Sequence, residues 1–169
     1  MSDVNDNLYQ TWVREHSGCL YRLAYRLCGR ADVAEDLVQE CFVEAWRSRA
    51  KLSDPAKARA WLHQILRFRW THYLRDNSRR IRTSSDSDSL GRQPDAAPDH
   101  TVQLEQSDDL QQALNQIDDE MKLPLLLVVM EGYTCQEAAD LLEVPLGTAL
   151  SRIHRAKLTL RELLSAGKV

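Results

Sequence analysis

The sequence predicts an all-α chain of two small helical domains joined by a flexible linker, and three observations carry that prediction. Apolar residues recur at three- and four-residue steps on both sides of a central stretch. Six Gly and five Pro in 169 residues gather at a few punctuation points, too sparse for the regular turns of a β fold. Between 83 and 107 the periodicity collapses into Ser, Asp, Pro and Gln, with Ser84-Ser85-Asp86-Ser87-Asp88-Ser89 at its centre. The expected units are residues 1–82, a disordered linker over 83–107 and residues 108–169.

The first helix is marked by Leu8, Trp12, Cys19, Leu20, Leu23, Ala24 and Leu27, and Gly29 follows as its stop. A second runs from about Asp32 to Arg49, with Val33, Leu37, Cys41, Phe42, Ala45 and Trp46 on one stripe and Glu35, Asp36, Gln39, Glu40 and Glu44 off it. Ser53-Asp54-Pro55 signals another start, because a short oxygen side chain accepts an orphan N–H and Pro is tolerated at the first helical position. The third helix carries Trp61, Leu62, Ile65, Leu66, Trp70, Tyr73 and Leu74. The linker's roughly 25 residues would reach ~80 Å fully extended but average ~28 Å as a coil.

Beyond the linker, Leu110, Ala113, Leu114 and Ile117 form a helical stripe, and Pro124 is expected to open an apolar helix that Gly132 ends. Thr134-Cys135-Gln136-Glu137 has the capping-box pattern, in which the hydroxyl and the carboxylate each satisfy the other's backbone N–H. A short helix through Leu142, a tight turn at Glu143-Val144 and a longer helix from Pro145 to about Leu164 complete a helix-turn-helix.

Composition excludes several classes of function. No run approaches the ~18 apolar residues of a membrane span, and the acidic start Met1-Ser2-Asp3-Val4-Asn5-Asp6 is unlike a signal peptide, so a cytoplasmic chain is expected. Cys19, Cys28, Cys41 and Cys135 form no CxxC and read as reduced helical thiols. His16-x-x-Cys19 would share a helix face, but two ligands make no metal site. There is no HExxH, no GxSxG and no Gly-rich phosphate loop. No enzyme activity, cofactor, metal or small-molecule substrate is expected.

Charge is segregated along the chain. Residues 1–82 carry 15 Lys and Arg against 10 Asp and Glu, whereas 83–108 carry one against six and 109–169 six against nine. Two stretches are strongly basic: 67–82, with six Arg against Asp76, and 144–161, with Arg152, Arg155, Lys157 and Arg161 against no acid. Two cationic faces on a mildly acidic chain point to two contacts with one polyanion. On the last helix Ala149, Ile153, Ala156 and Leu160 face inward, which leaves Thr148, Ser151, Arg152, Arg155 and Lys157 to meet base edges and phosphates. The other stretch interleaves Trp61, Phe68, Trp70, His72 and Tyr73 with Arg67, Arg69, Arg75, Arg79 and Arg80, cations beside stacking surfaces of the kind that single strands require.

The ordered motifs Asp36-Leu37-Val38-Gln39-Glu40 with Phe42 and Trp46, the Trp61-Leu62 helix with its Arg-rich end, Glu131-Gly132-Tyr133-Thr134, Val144-Pro145-Leu146-Gly147-Thr148 and Ser151-Arg152-Ile153-His154-Arg155-Ala156 resemble the extracytoplasmic-function (ECF) class of bacterial RNA polymerase sigma factors. The resemblance covers about 8–82 and 108–164. It implies that residues 1–82 are sigma domain 2 and 108–169 sigma domain 4, and that the chain binds core RNA polymerase and directs promoter recognition and DNA melting. Asp36, Gln39 and Glu40 would then grip the clamp helices of the β′ subunit, and domain 4 would bind the β flap. The −10 element would fall to Lys51, Lys57, Arg59, Arg67, Trp70, Tyr73, Arg75, Asn77, Arg79 and Arg80, the −35 element to Thr148, Ser151, Arg152, Arg155 and Lys157. An anti-sigma factor, often membrane-anchored in this class, would hold the protein inactive. The chain departs from the family pattern at Glu143, where Gly is frequent in the turn, at Leu150 in place of Lys, and at Phe68 in place of Asn. Two other readings of the residues are a stand-alone helix-turn-helix regulator, which would bind duplex tightly and specifically without polymerase, and a helical adaptor module, which steep salt dependence of DNA binding would exclude.

Overall fold

The computed structural model describes residues 2–83 and 104–166, and all regular structure among them is helical. Helices α1 (Ser2–Cys28), α2 (Ala31–Ser48) and α3 (Ala58–Thr83) form an N-terminal lobe, while α4 (Leu104–Asn115), α5 (Asp119–Val129), α6 (Cys135–Leu142) and α7 (Leu146–Ala166) form a C-terminal lobe. The expected linker lies outside the described residues over 84–103, and α4 starts at Leu104 rather than near 108.

In the N-terminal lobe the expected stripes meet. Leu20, Leu23, Leu27, Leu37, Cys41, Phe42, Leu62 and Leu66 are all buried in one core. Two short 3-10 turns, Arg49–Lys51 and Pro55–Lys57, join α2 to α3, and the Asp54 carboxylate accepts the Ala56 N–H at 3.0 Å, so the Ser-Asp-Pro signal marks a 3-10 entry just before α3. Gly29 ends α1 at φ +68°, its N–H donating to Tyr25 O at 2.7 Å. A Cβ there would stand 2.6 Å from Asn115 Oδ1, so a side chain at 29 would have to displace that amide as well as hold a left-handed backbone.

The C-terminal lobe corrects one expectation. Pro124 does not open α5 but lies inside it, because Asp118 O already accepts the N–H groups of Met121 and Lys122 at 2.9 Å and starts the helix earlier. Burial of Leu123, Pro124, Leu125, Leu126 and Leu127 offsets the hydrogen bond that proline cannot donate. The capping box at Thr134 is complete: Thr134 N donates to the Glu137 carboxylate at 2.8 Å, and Glu137 N to the Thr134 hydroxyl at 3.2 Å. After α6 the chain turns through Glu143 at φ 55°, ψ 41°, with Glu143 N bonded to Asp140 O and Val144 N to Ala139 O, both at 3.1 Å. That pairing is a Schellman motif, and it holds a non-glycine residue left-handed at a cost of about 1 kcal/mol.

The lobes share one apolar cluster. Helix α1 touches α4 and α5, and α3 touches α6. Lys122, buried on α5, donates from Nζ to Leu27 O at 3.1 Å and to Asp119 at 3.1 Å, thereby capping the C-terminus of α1. Beside it Arg26 donates to Gln111 Oε1 at 3.1 Å, and Gln111 Nε2 donates to Arg26 O at 3.3 Å.

Candidate nucleic-acid interface

On α7 the inward stripe is as expected: Ala149, Ile153 and Ala156 are buried against α5 and α6. Thr148, Ser151, Arg152 and Arg155 follow one another at helical spacing along the outer face. Arg152 pairs with Glu120 of α5 at 3.1 Å, so on meeting DNA it must exchange that carboxylate for a base or a phosphate. Lys157 does not join this row. It lies about 200° further round the helix than Arg155 and lines an apolar groove with Leu110, Leu114, Val129, Leu160 and Leu164.

The residues expected at the −10 element divide into two groups. Arg75, Asn77, Arg79 and Arg80 are exposed at its C-terminal end, and Lys51 and Lys57 are exposed in the connection before it. Asn77 and Arg80 line one cleft together with Tyr73 and with Asp36 and Glu40 of α2. The acidic row of α2, with Gln39 also exposed, therefore adjoins the basic end of α3.

The second group is turned toward the C-terminal lobe. Arg59 donates to both the backbone oxygen and the carboxylate of Glu131, and its guanidinium sits 4.9 Å from the Tyr133 ring centre. Arg67 donates to Leu141 O at 2.9 Å and lies 3.6 Å from the Glu143 carboxylate. Trp70, expected at the −10 element, is only 4% exposed. Its ring stacks on Tyr73 with centroids 5.5 Å apart, and it walls a cleft with Leu123, Pro124 and Leu142. The Leu62–Leu66–Trp70 stripe of α3 turns the indole into the apolar core, at the edge of the cleft between the lobes. In this arrangement Trp70 is core and not a surface for bases.

Between the lobes lies a polar centre that the sequence reading missed. His63 is buried on α3, with Nδ1 2.8 Å from the Tyr133 hydroxyl and Nε2 3.3 Å from Glu131 Oε2. Burial acts to raise the Glu131 carboxyl, but the His63 imidazole and then the Arg59 guanidinium outweigh it, holding the acid below the usual carboxylate range. Burial pushes the Tyr133 phenol up to about 12. No helical period links residues some seventy positions apart, so these partners become visible only in the fold. Phe68, one of the aromatics interleaved with the arginines, is on the open side of α3. It is 53% exposed, opposite the Leu62–Leu66 stripe, with the Arg67 guanidinium 5.0 Å from its ring centre.

Two family matches span these lobes: residues 12–80 match Sigma-70 region 2, and residues 107–160 match Sigma-70 region 4. The chain is similar to the ECF RNA polymerase sigma factor SigE of Mycolicibacterium smegmatis, 36% identical over 90% of this chain and 60% of that protein. It is also similar to the ECF RNA polymerase sigma factor SigL of Mycobacterium tuberculosis, 32% identical over 88% of this chain and 86% of that one. Among solved structures, the sigma factor RpoE of Bartonella quintana, in complex with the anti-sigma factor NepR, superposes with a TM-score of 0.74 at 26% identity, over 93% of this chain and 96% of RpoE. CnrH in complex with the cytosolic domain of CnrY shares the fold, with a TM-score of 0.66 at 22% identity, over 94% and 88% of the two chains.

Proposed function

Since the chain belongs to the ECF RNA polymerase sigma factors of the sigma-70 family, which are not enzymes, we propose that it docks on core polymerase and guides promoter recognition and strand opening only after its two lobes separate. The single observation that carries the second half of this reading is the position of α3. Three residues suited to the −10 element, Arg59, Arg67 and Trp70, are among those of α3 that hold or face the C-terminal lobe, as His63 and Gln64 also do. In the closed chain Trp70 is buried, Arg67 is largely covered, and Arg59, though exposed, is held by Glu131.

The division of labour follows from the chemistry of each face. Asp36, Gln39 and Glu40 form an exposed polar row on α2 suited to the basic side of the β′ clamp helices. Once freed, Arg59, Arg67 and Trp70 would join Lys51, Lys57, Tyr73, Arg75, Asn77, Arg79 and Arg80 along the unpaired strand. Phe68, already exposed, adds a stacking surface. Thr148, Ser151, Arg152 and Arg155 enter the major groove at the −35 element, while Lys157 is better placed for a protein contact such as the β flap. Opening duplex DNA costs a few kcal/mol per unstacked step, and capture of an extruded base returns about 1–3 kcal/mol, so polymerase contacts supply the remainder. The work is done where polymerase is, in the cytoplasm. No helix among the described residues is long and apolar enough to cross a membrane.

A partner that controls the closed form is an anti-sigma factor. This assignment is supported by the sigma factor RpoE, a structural neighbour of this chain solved with the anti-sigma factor NepR. A membrane-anchored anti-sigma factor would leave this chain on the cytoplasmic side.

Run-off transcription with core polymerase on a genomic fragment library tests the reading. The purified chain should bind duplex weakly alone and direct initiation from a defined set of sites once core polymerase is present. Tight sequence-specific binding without polymerase, and no initiation with it, would instead favour a stand-alone helix-turn-helix regulator.

A further inference from the structure

We propose that Cys19, His63 and Glu131 form a divalent-metal site, best matched to Zn2+, that pins the two lobes together. The three come from α1, α3 and the segment between α5 and α6, and one ligand atom from each lies within 4.8 Å of the others. Both lobes contribute, so a bound ion closes a bridge that neither could form alone.

The His63 ring carries the argument. Its side chain is 1% exposed, and Nδ1 is committed to the Tyr133 hydroxyl at 2.8 Å. Nε2 faces Glu131 Oε2 at 3.3 Å without the alignment of a hydrogen bond and has no other partner. A metal-bound imidazole is arranged in this way, with one nitrogen oriented by an oxygen and the other presenting its lone pair. Ligand bonds of about 2.1 Å at a tetrahedral Zn2+ put N and O ligands roughly 3.4 Å apart, close to the separation seen here.

Cys19 supplies the third ligand. Its Sγ donates only a weak bond to His16 O at 3.1 Å, on its own helix, and gives it up on becoming a thiolate. A small side-chain adjustment closes the remaining gap of about an ångström to a Zn–S bonding position. Sulfur, imidazole and carboxylate together favour Zn2+ over Mg2+ or Ca2+, and water completes the fourth position. Arg59 donates to the same Glu131 Oε2 that faces His63, so the ion must take that oxygen's other lone pair or displace the guanidinium.

The site stands independently of the sigma-factor reading, because binding is measured on the full chain without polymerase or DNA. After chelator treatment and removal of the chelator, titration with Co2+ should give one saturable site with a near-ultraviolet thiolate-to-cobalt band, which Zn2+ displaces. Cys19→Ser should lose that band and bind at least as much weaker as the ~10–100-fold cost of disturbing a ligand's supporting partner. His63→Gln should weaken binding similarly, while Cys135→Ser, outside the site, should behave as the unmodified chain. Zn2+ should slow amide exchange at residues 131–133 in the unmodified chain and not in Cys19→Ser. An absent thiolate band, a band that survives Cys19→Ser, or exchange indifferent to Zn2+ would overturn the proposal. If His63→Gln fails to fold, the comparison of Cys19→Ser with Cys135→Ser still decides it, since Cys19 is only half-buried.

Discussion

Lys122→Met isolates one contact that holds the lobes together. Methionine keeps most of the buried stem's volume, so the change removes the ammonium and leaves Leu27 O without its 3.1 Å donor. A hydrogen bond from a charged group contributes about 1.5–3 kcal/mol. The Asp119 interaction adds little, because that carboxylate is partly exposed. A net loss near 2 kcal/mol shifts the closed–open balance about 30-fold toward open. Small-angle scattering should report a larger radius of gyration, and amide exchange should quicken across 131–143 while α5 and α7 keep their protection within the lobe. With limiting core polymerase, initiation should rise, because less binding energy is spent on opening. An unchanged radius together with unchanged exchange at 131–143 would refute the view that Lys122 ties α1 to the C-terminal lobe.

Three further outcomes follow from local geometry. Gly29→Ala forces a Cβ to 2.6 Å from Asn115 Oδ1 at φ +68°, which should cost about 1–3 kcal/mol by thermal melting; adding Asn115→Ala should return only the part due to the clash. Thr134→Ala removes half of the capping box and should lower the stability of the helix-turn-helix by about 1 kcal/mol, measured by urea denaturation of the full chain. Glu131 titrates below its ordinary range in the closed form, so its contribution to closure is complete above about pH 4.3 and disappears as pH falls through its depressed value. Amide exchange at 131–133 should therefore quicken in acid, and Glu131→Gln should flatten that dependence.

Much of the architecture was legible because it is local. The stripes of α1, α2 and α3, the capping box at Thr134 and the turn at Glu143 all depend on residues within one or two turns of each other, which is the range over which periodicity and capping act. Pro124 misled because proline usually opens a helix, and only the burial of its neighbours shows why it is tolerated inside α5. The placement of Thr148, Ser151, Arg152 and Arg155 on the outer face of α7 is legible in helical spacing, whereas charge alone groups Lys157 with them and the helical period separates it. Trp70 sits among arginines in the sequence, but it is buried in the apolar core and lines the cleft between the lobes. Distance along the chain hid Arg59, Glu131, His63 and Tyr133 as a group, since a polar centre assembled across two lobes leaves no pattern in either half.

The most direct measurement holds the lobes shut by a covalent bridge. The side chains of Gln64 and Glu143 approach to 3.3 Å across the interface, so Gln64→Cys and Glu143→Cys, with half-buried Cys19, Cys28 and Cys135 changed to Ser, can be joined by a short cleavable thiol reagent. The bridged chain should fail to start transcription with core polymerase, and cleaving the bridge should restore initiation. Equal initiation by bridged and unbridged chains would contradict the claim that opening is required.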